Sequence, residues 1–154
     1  MKIIYLFGRI CSGKSTYRPE VSRIVVSNIV RGIISSSTRE ELQNTLHLDM
    51  KIAESIDMLI DHYTWMNETD LIIDGIRQIT ILRKLLERHP GELVWLEVPV
   101  EERKRRYESR KDAKDVEPFE IADNKPIELL CQDIFTILKD KLKVINNYEA
   151  TTES

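Results

Sequence analysis

Residues 8–16, GRICSGKST, narrow what this chain can fold into more than any other stretch. They follow KIIYLF (Lys2–Phe7), a short run that is apolar on both faces, as a strand buried in a parallel sheet is. Gly8-x-x-x-x-Gly13-Lys14-Ser15 meets every fixed position of a phosphate-cradling loop, in the strand-first context that loop requires. Each position has a chemical reason. Gly8 and Gly13 allow backbone angles that a side chain forbids. The loop amides, those of Ser12 and Gly13 included, then converge into an anion nest. Lys14 reaches the β- and γ-phosphates of a nucleoside triphosphate. The Ser15 hydroxyl is placed for Mg²⁺, and Thr16 supports the α-phosphate. A helix is expected to start at about Lys14 and aim its positive end at the same phosphates. The plain alternative is a chance glycine turn. Cys11 has no partner His nearby in sequence and reads as a small loop residue rather than a nucleophile.

The length of 154 residues fits one domain over 1–154. A net charge of −3 excludes a histone-like binder that relies on overall positive charge, while leaving room for a local basic groove. Cys11 and Cys131 have neither metal spacing nor a disulfide-framework pattern, so a reducing cytoplasm is the expected setting. No apolar run reaches membrane-helix length, and MKIIYLFG lacks the layout of a signal peptide. A membrane partner is therefore not expected. The polar tail, roughly 149–154, is expected to fray. Nothing in the pattern assigns an oligomeric state.

Further strands are expected at Arg23–Val26, at Leu71–Ile73 ending in Asp74, at Leu93–Val98 and at Lys143–Asn146. Helical signals fall between them. Thr38 and Glu41 form a capping box. The apolar positions from Leu42 to Tyr63 then predict a long helix, broken near Leu48-Asp49. The stripe from Ile79 to Leu86 predicts a helix stopped by His89-Pro90-Gly91. A charged helix follows at roughly Val100–Lys111, and Pro126 opens a last one. Only a few residues, Pro19 among them, separate Thr16 from the second strand, so the helix after the loop must be short. Strands alternating with helices give an α/β, three-layer architecture with a mostly parallel five-stranded sheet.

Asp74 ends an apolar strand, where parallel sheets present ligand-facing groups. It can join Ser15 around Mg²⁺ or accept a proton from an attacking hydroxyl; the plain alternative is a helix cap. Gly75 keeps the chain tight, which turns Arg77 back over the same pocket or leaves it on the surface. Arg103, Arg106 and Arg110 share one helix face. They form either a solvated, ion-paired surface or a lid, at roughly 100–115, that neutralises charge on a transferring phosphoryl group. Arg106 and Arg110 are the candidate lid arginines.

A phosphate loop after strand one, a carboxylate after strand three and R-x-x-R-x-x-x-R after strand four resemble the P-loop kinases of the nucleoside monophosphate kinase and dephospho-CoA kinase type. That resemblance implies a P-loop NTPase fold with a helical lid, and ATP with Mg²⁺ as cofactors. Three phrases, VSNIVRGIISSSTREELQNTLHLD, LIIDGIRQITIL and FEIADNKPIELL, are similar to small bacteriophage kinases that phosphorylate 5-hydroxymethyluracil in DNA. On the motifs read above, Lys14, Asp74, Arg106 and Arg110 are the candidate catalytic residues; the resemblance adds the acceptor side. Asp74 would lie near the hydroxymethyl oxygen, with Arg31, Arg39, Gln43, Asp49, Arg77 and Gln78 on the acceptor side. The partners would be ATP and a nucleotide acceptor, modified DNA first. A free deoxynucleoside monophosphate is the second acceptor, because Arg31, Arg39 and Arg77 could meet a phosphate. A regulatory nucleotide switch is the reading from another class. Asn124-Lys125-Pro126-Ile127 begins like a guanine-specificity motif, but Ile127 stands where Asp is required.

Overall fold

The computed structural model describes residues 1–110 and 117–147. Strands β1 (Lys2–Gly8), β2 (Ser22–Val25), β3 (Asp70–Asp74), β4 (Glu92–Glu97) and β5 (Lys143–Asn146) form one sheet in the order β2-β3-β1-β4-β5. Every pairing is parallel. All carboxyl ends therefore open on one edge. The chain leaves β1 for one half of the sheet and returns to β4 on the other side of β1. That reversal makes the crevice in which such sheets take ligands.

Seven helices connect the strands among the described residues: α1 (Val26–Ser36), α2 (Arg39–Gln43), α3 (Thr45–Trp65), α4 (Ile79–Arg88), α5 (Val100–Arg110), α6 (Phe119–Asp123) and α7 (Pro126–Leu138). Alternate strand residues face opposite sides. Tyr5, Phe7, Ile73 and Trp95 point to one side, where Ile56 and Ile60 of α3, Leu82 of α4 and Ile134 of α7 complete the main core. Ile56 has no solvent exposure, and truncating such a residue to Ala costs roughly 2–5 kcal/mol. Ile4, Leu6, Ile72, Val94 and Leu96 face the other side and pack against Tyr17, Val21 and Ile145. The third layer is thus thin. Among the described residues it holds the short segment between β1 and β2 in place of a full helix.

That segment corrects one expectation. The helix at Lys14 is a single 3-10 turn, Lys14–Thr16. Arg18 takes a left-handed φ of 45°, and Pro19 follows it. A proline excludes the helical region for the residue before it and lacks an N–H, so the helix cannot continue. The long helix of the middle segment breaks at Asn44, not near Leu48-Asp49. The Asn44 side chain accepts from the His47 N–H at 3.0 Å and starts α3 afresh. The Thr38–Glu41 capping box forms as the sequence predicts. Helix α1 was not legible, and the expected lid end and tail lie largely outside the described residues. No helix among those described is long and apolar enough to cross a membrane.

Candidate active site

The loop after β1 turns at two left-handed residues, Cys11 (φ 61°) and Gly13 (φ 91°). Left-handed residues of this kind are what turning successive loop amides to one side requires, although the Ser12 N–H already donates to Arg9 O at 3.1 Å. Lys14 Nζ lies within the loop and donates to Gly8 O at 2.8 Å and to Arg9 O at 3.3 Å. Burial, and secondarily Arg77, lowers its pKa. One 3-10 turn contributes little axial dipole, so anion attraction here rests on loop amides and side-chain cations.

Arg23, at the start of β2, takes over part of what a longer helix would do. Its guanidinium donates to Lys14 O at 3.0 Å, to Ser15 O at 2.8 Å and to Tyr17 O. Those carbonyls would otherwise accept from the next helical turn. The same guanidinium lies 3.9 Å from Asp74 Oδ2, linking the loop to β3.

Asp74 is 7% exposed at the carboxyl end of β3. Burial raises its pKa, against the opposing pull of Lys14, Arg23 and Arg77. The cap of α4 is Gln78, so Asp74 is not a helix cap. Gly75, at φ 96°, turns the chain while its N–H donates to Leu6 O at 3.2 Å, holding the end of β3 against β1.

A cleft of about 590 Å³ opens between these elements, the start of α1 and the start of α7. Ser12, Gly13, Lys14, Ser15, Asp74, Arg77, Gln78, Arg31 and Arg110 all line it. Ser15 and Asp74 are hard oxygen donors facing one space, a donor set that fits Mg²⁺. Arg31 Nη2 donates to Asn28 Oδ1 at 2.5 Å. Arg39 and Gln43 are not among the lining residues. Asp49 accepts from Thr80 Oγ1 at 3.0 Å in a separate groove between α3 and α4.

A second cleft, of about 560 Å³, lies across the loop and is lined by Thr16, Arg106, Arg110, Asn146 and Asn147. The three arginines of α5 divide here. Arg103 is buried and pairs with Asp123 at 2.5 Å. Arg106 donates to Cys11 O at 3.1 Å and to Asn147 O at 2.9 Å, bracing the loop from this second side. Arg110 lines both clefts, with its guanidinium 5.1 Å from the Tyr107 ring centroid. Asn147 Nδ2 donates to Ser12 O at 2.8 Å.

The sequence reading missed Arg23, Arg9 and Glu128. Glu128 is 5% exposed, lines the first cleft and lies 3.1 Å from Arg77 Nη1. In sequence it is an acid in the first turn of a helix behind a proline, where acids are ordinary.

No protein-family model matches this sequence, and no curated protein matches it. Solved structures do match. The shikimate kinase of Bacteroides thetaiotaomicron superposes with a TM-score of 0.50 at 16% identity, over 99% of this chain and 90% of that one. The shikimate kinase of Acinetobacter baumannii, in complex with shikimate, gives 0.53 at 14% identity, over 97% and 86%. At such identities the likeness speaks for architecture alone: the chain has the α/β P-loop NTPase fold that these kinases share, built on five parallel strands.

Proposed function

We propose that this chain is an ATP-dependent phosphotransferase that moves the γ-phosphoryl group onto an alcohol. The observation that carries the reading is the convergence of Lys14, Ser15, Asp74 and Arg77 on one cleft at the carboxyl ends of β1 and β3. The phosphates of ATP lie on the loop amides, with Lys14 on the outer two. Ser15, with Asp74 close by, would hold Mg²⁺, which would supply charge neutralisation. The acceptor oxygen forms a bond to the γ-phosphorus as the bond from that phosphorus to the β-phosphate oxygen breaks. The acceptor proton passes to Asp74, and ADP leaves. A carboxylate whose pKa burial has raised is a stronger base than an exposed one. Arg110, which lines both clefts, offsets the charge that develops on the transferring group.

The acceptor we favour is the hydroxymethyl group of 5-hydroxymethyluracil in DNA, on the strength of the sequence resemblance. A base within a duplex must be flipped out to reach such a cleft. A second acceptor, a deoxynucleoside monophosphate, is favoured by the presence of Arg31 and Arg77 in the cleft wall. A cytoplasmic setting suits both. The test is γ-labelled ATP and Mg²⁺ with three acceptors: an oligonucleotide carrying 5-hydroxymethyluracil, free deoxynucleoside monophosphates, and shikimate. Label on the oligonucleotide supports the first reading. Label on a monophosphate or on shikimate reassigns the acceptor. Label on none, with ATP turnover unaffected by any acceptor, overturns the kinase.

A further inference from the structure

The cleft contains buried polar atoms that the protein itself leaves without a hydrogen bond: Ser12 Oγ, Arg77 Nη1 and Glu128 Oε2. Ser12 is 1% exposed and Glu128 is 5% exposed. Such groups are rare in folded chains, and each calls for a partner. Arg77 Nη1 and Glu128 Oε2 are 3.1 Å apart, yet neither makes a hydrogen bond to the other. Arg9 Nε is the next nearest cation to Glu128, at 3.8 Å, and it too is unbonded.

A structural ion pair close by shows what a satisfied pair looks like in this fold. Arg103 meets both oxygens of Asp123, at 2.5 and 3.4 Å, and donates also to Val98 O and Ile10 O. The Arg77–Glu128 pair stands at 3.1 Å without a hydrogen bond, and both residues line the cleft.

We propose that Arg77 and Glu128 together read the acceptor, the Glu128 carboxylate accepting from an N–H or O–H of the acceptor and the Arg77 guanidinium donating to an adjacent oxygen. This rests on the kinase reading and adds the chemistry of what binds. A donor next to an oxygen is the edge of a neutral cyclic imide or amide. It is not the face of a phosphate, which offers only acceptors and carries charge. Glu128 repels such an anion and already offsets the Arg77 charge that would attract it. Ile127 and Val30 supply apolar walls in the same cleft, suited to a flat ring. Glu128 is thus a specificity-determining residue.

The experiment uses the full chain with γ-labelled ATP and Mg²⁺. The acceptors are a single-stranded oligonucleotide containing 5-hydroxymethyluracil, the same oligonucleotide methylated at ring N3, and thymidine 5′-monophosphate. The wild-type protein is expected to lose about 10- to 100-fold in kcat/KM on the N3-methylated oligonucleotide, the loss of one hydrogen bond to a buried charge. Glu128→Gln is expected to raise KM for the unmethylated oligonucleotide about tenfold, to lose the discrimination against N3 methylation, and to gain on thymidine monophosphate. A merely structural glutamate would not shift that preference. Equal wild-type rates on the methylated and unmethylated oligonucleotides would overturn the inference and leave the kinase standing. So would wild-type preference for the monophosphate. Transfer to none of the three by the wild-type protein would overturn the acceptor reading and this inference with it. The wild-type methylation comparison decides the question even where Glu128→Gln does not fold.

Discussion

Two clusters of arginine and carboxylate sit at opposite ends of the sheet, and they are built differently. At the end away from the loop, Arg88 reaches Asp57 at 2.5 Å and Asp61 at 3.5 Å, and His89 Nε2 lies 2.5 Å from Asp57 Oδ1. Asp57, Asp61 and His89 could be taken for metal ligands, but the Arg88 guanidinium already occupies both carboxylates. At the other end, Lys14, Asp74, Arg77 and Glu128 line a cleft, and two of their polar atoms, Arg77 Nη1 and Glu128 Oε2, have no hydrogen bond. The first cluster is half in water and paired. The second is largely buried and incompletely paired, which is costly in stability and useful for binding. The difference separates charges that neutralise one another from charges left partly unmatched at a cleft.

Asp74→Asn should break this comparison most sharply. Loss of a general base predicts a fall in kcat of roughly 10²–10⁴-fold. Stability should move the other way. Burial raises the Asp74 pKa in the folded state, so its contribution is intact below the unfolded carboxyl pKa and is lost as pH rises through the folded one. At neutral pH the ionised carboxylate is therefore a cost, and Asn removes it. Thermal melting near pH 7 should show an unchanged or higher Tm for the variant. The same shift places the acid limb of the wild-type kcat/KM profile above the ordinary Asp value of about 3.9, and the variant should lack that limb.

Lys14→Ala should cost about 10²–10³ in transfer rate, the scale of one lost charge-stabilising donor, as steady-state labelling would read. Arg23→Gln should act through the loop. Losing its donors to three carbonyls should raise KM for ATP about tenfold, the equivalent of roughly 1.4 kcal/mol, with a smaller effect on kcat. An equal effect on kcat would place Arg23 in the chemistry rather than beneath it. Asp57→Asn, at the paired end, should leave transfer within about twofold and cost no more than about 1 kcal/mol in urea unfolding. A large loss of transfer from this last change would erase the distinction between the two clusters.

The residues that carried local rules were legible. Gly8, Gly13, Lys14 and Ser15 announced the loop, Thr38 and Glu41 announced a helix start, and Asp74 stood at a strand end. What stayed hidden depended on chain folding back from afar. Arg23 looked like one residue of an apolar strand, and its task appears only when the loop lies beside it. Glu128 looked like a first-turn acid until α7 placed it against Arg77. Arg39 and Asp49 were drawn toward the acceptor by resemblance of phrase. The break at Asn44 sets them on α2 and α3, where they do not line the cleft. The short turn after the loop was half legible, since Pro19 left no room for a helix.

That turn has an evolutionary consequence. The field of a long helix comes from peptide groups, which every sequence possesses and no point mutation can delete. Here a single 3-10 turn leaves the shape of the loop to side chains, with its carbonyls held by Arg23 and Arg106, each of which a single codon change can abolish. A loop braced in this way is more exposed to point mutation than one continued by a full helix.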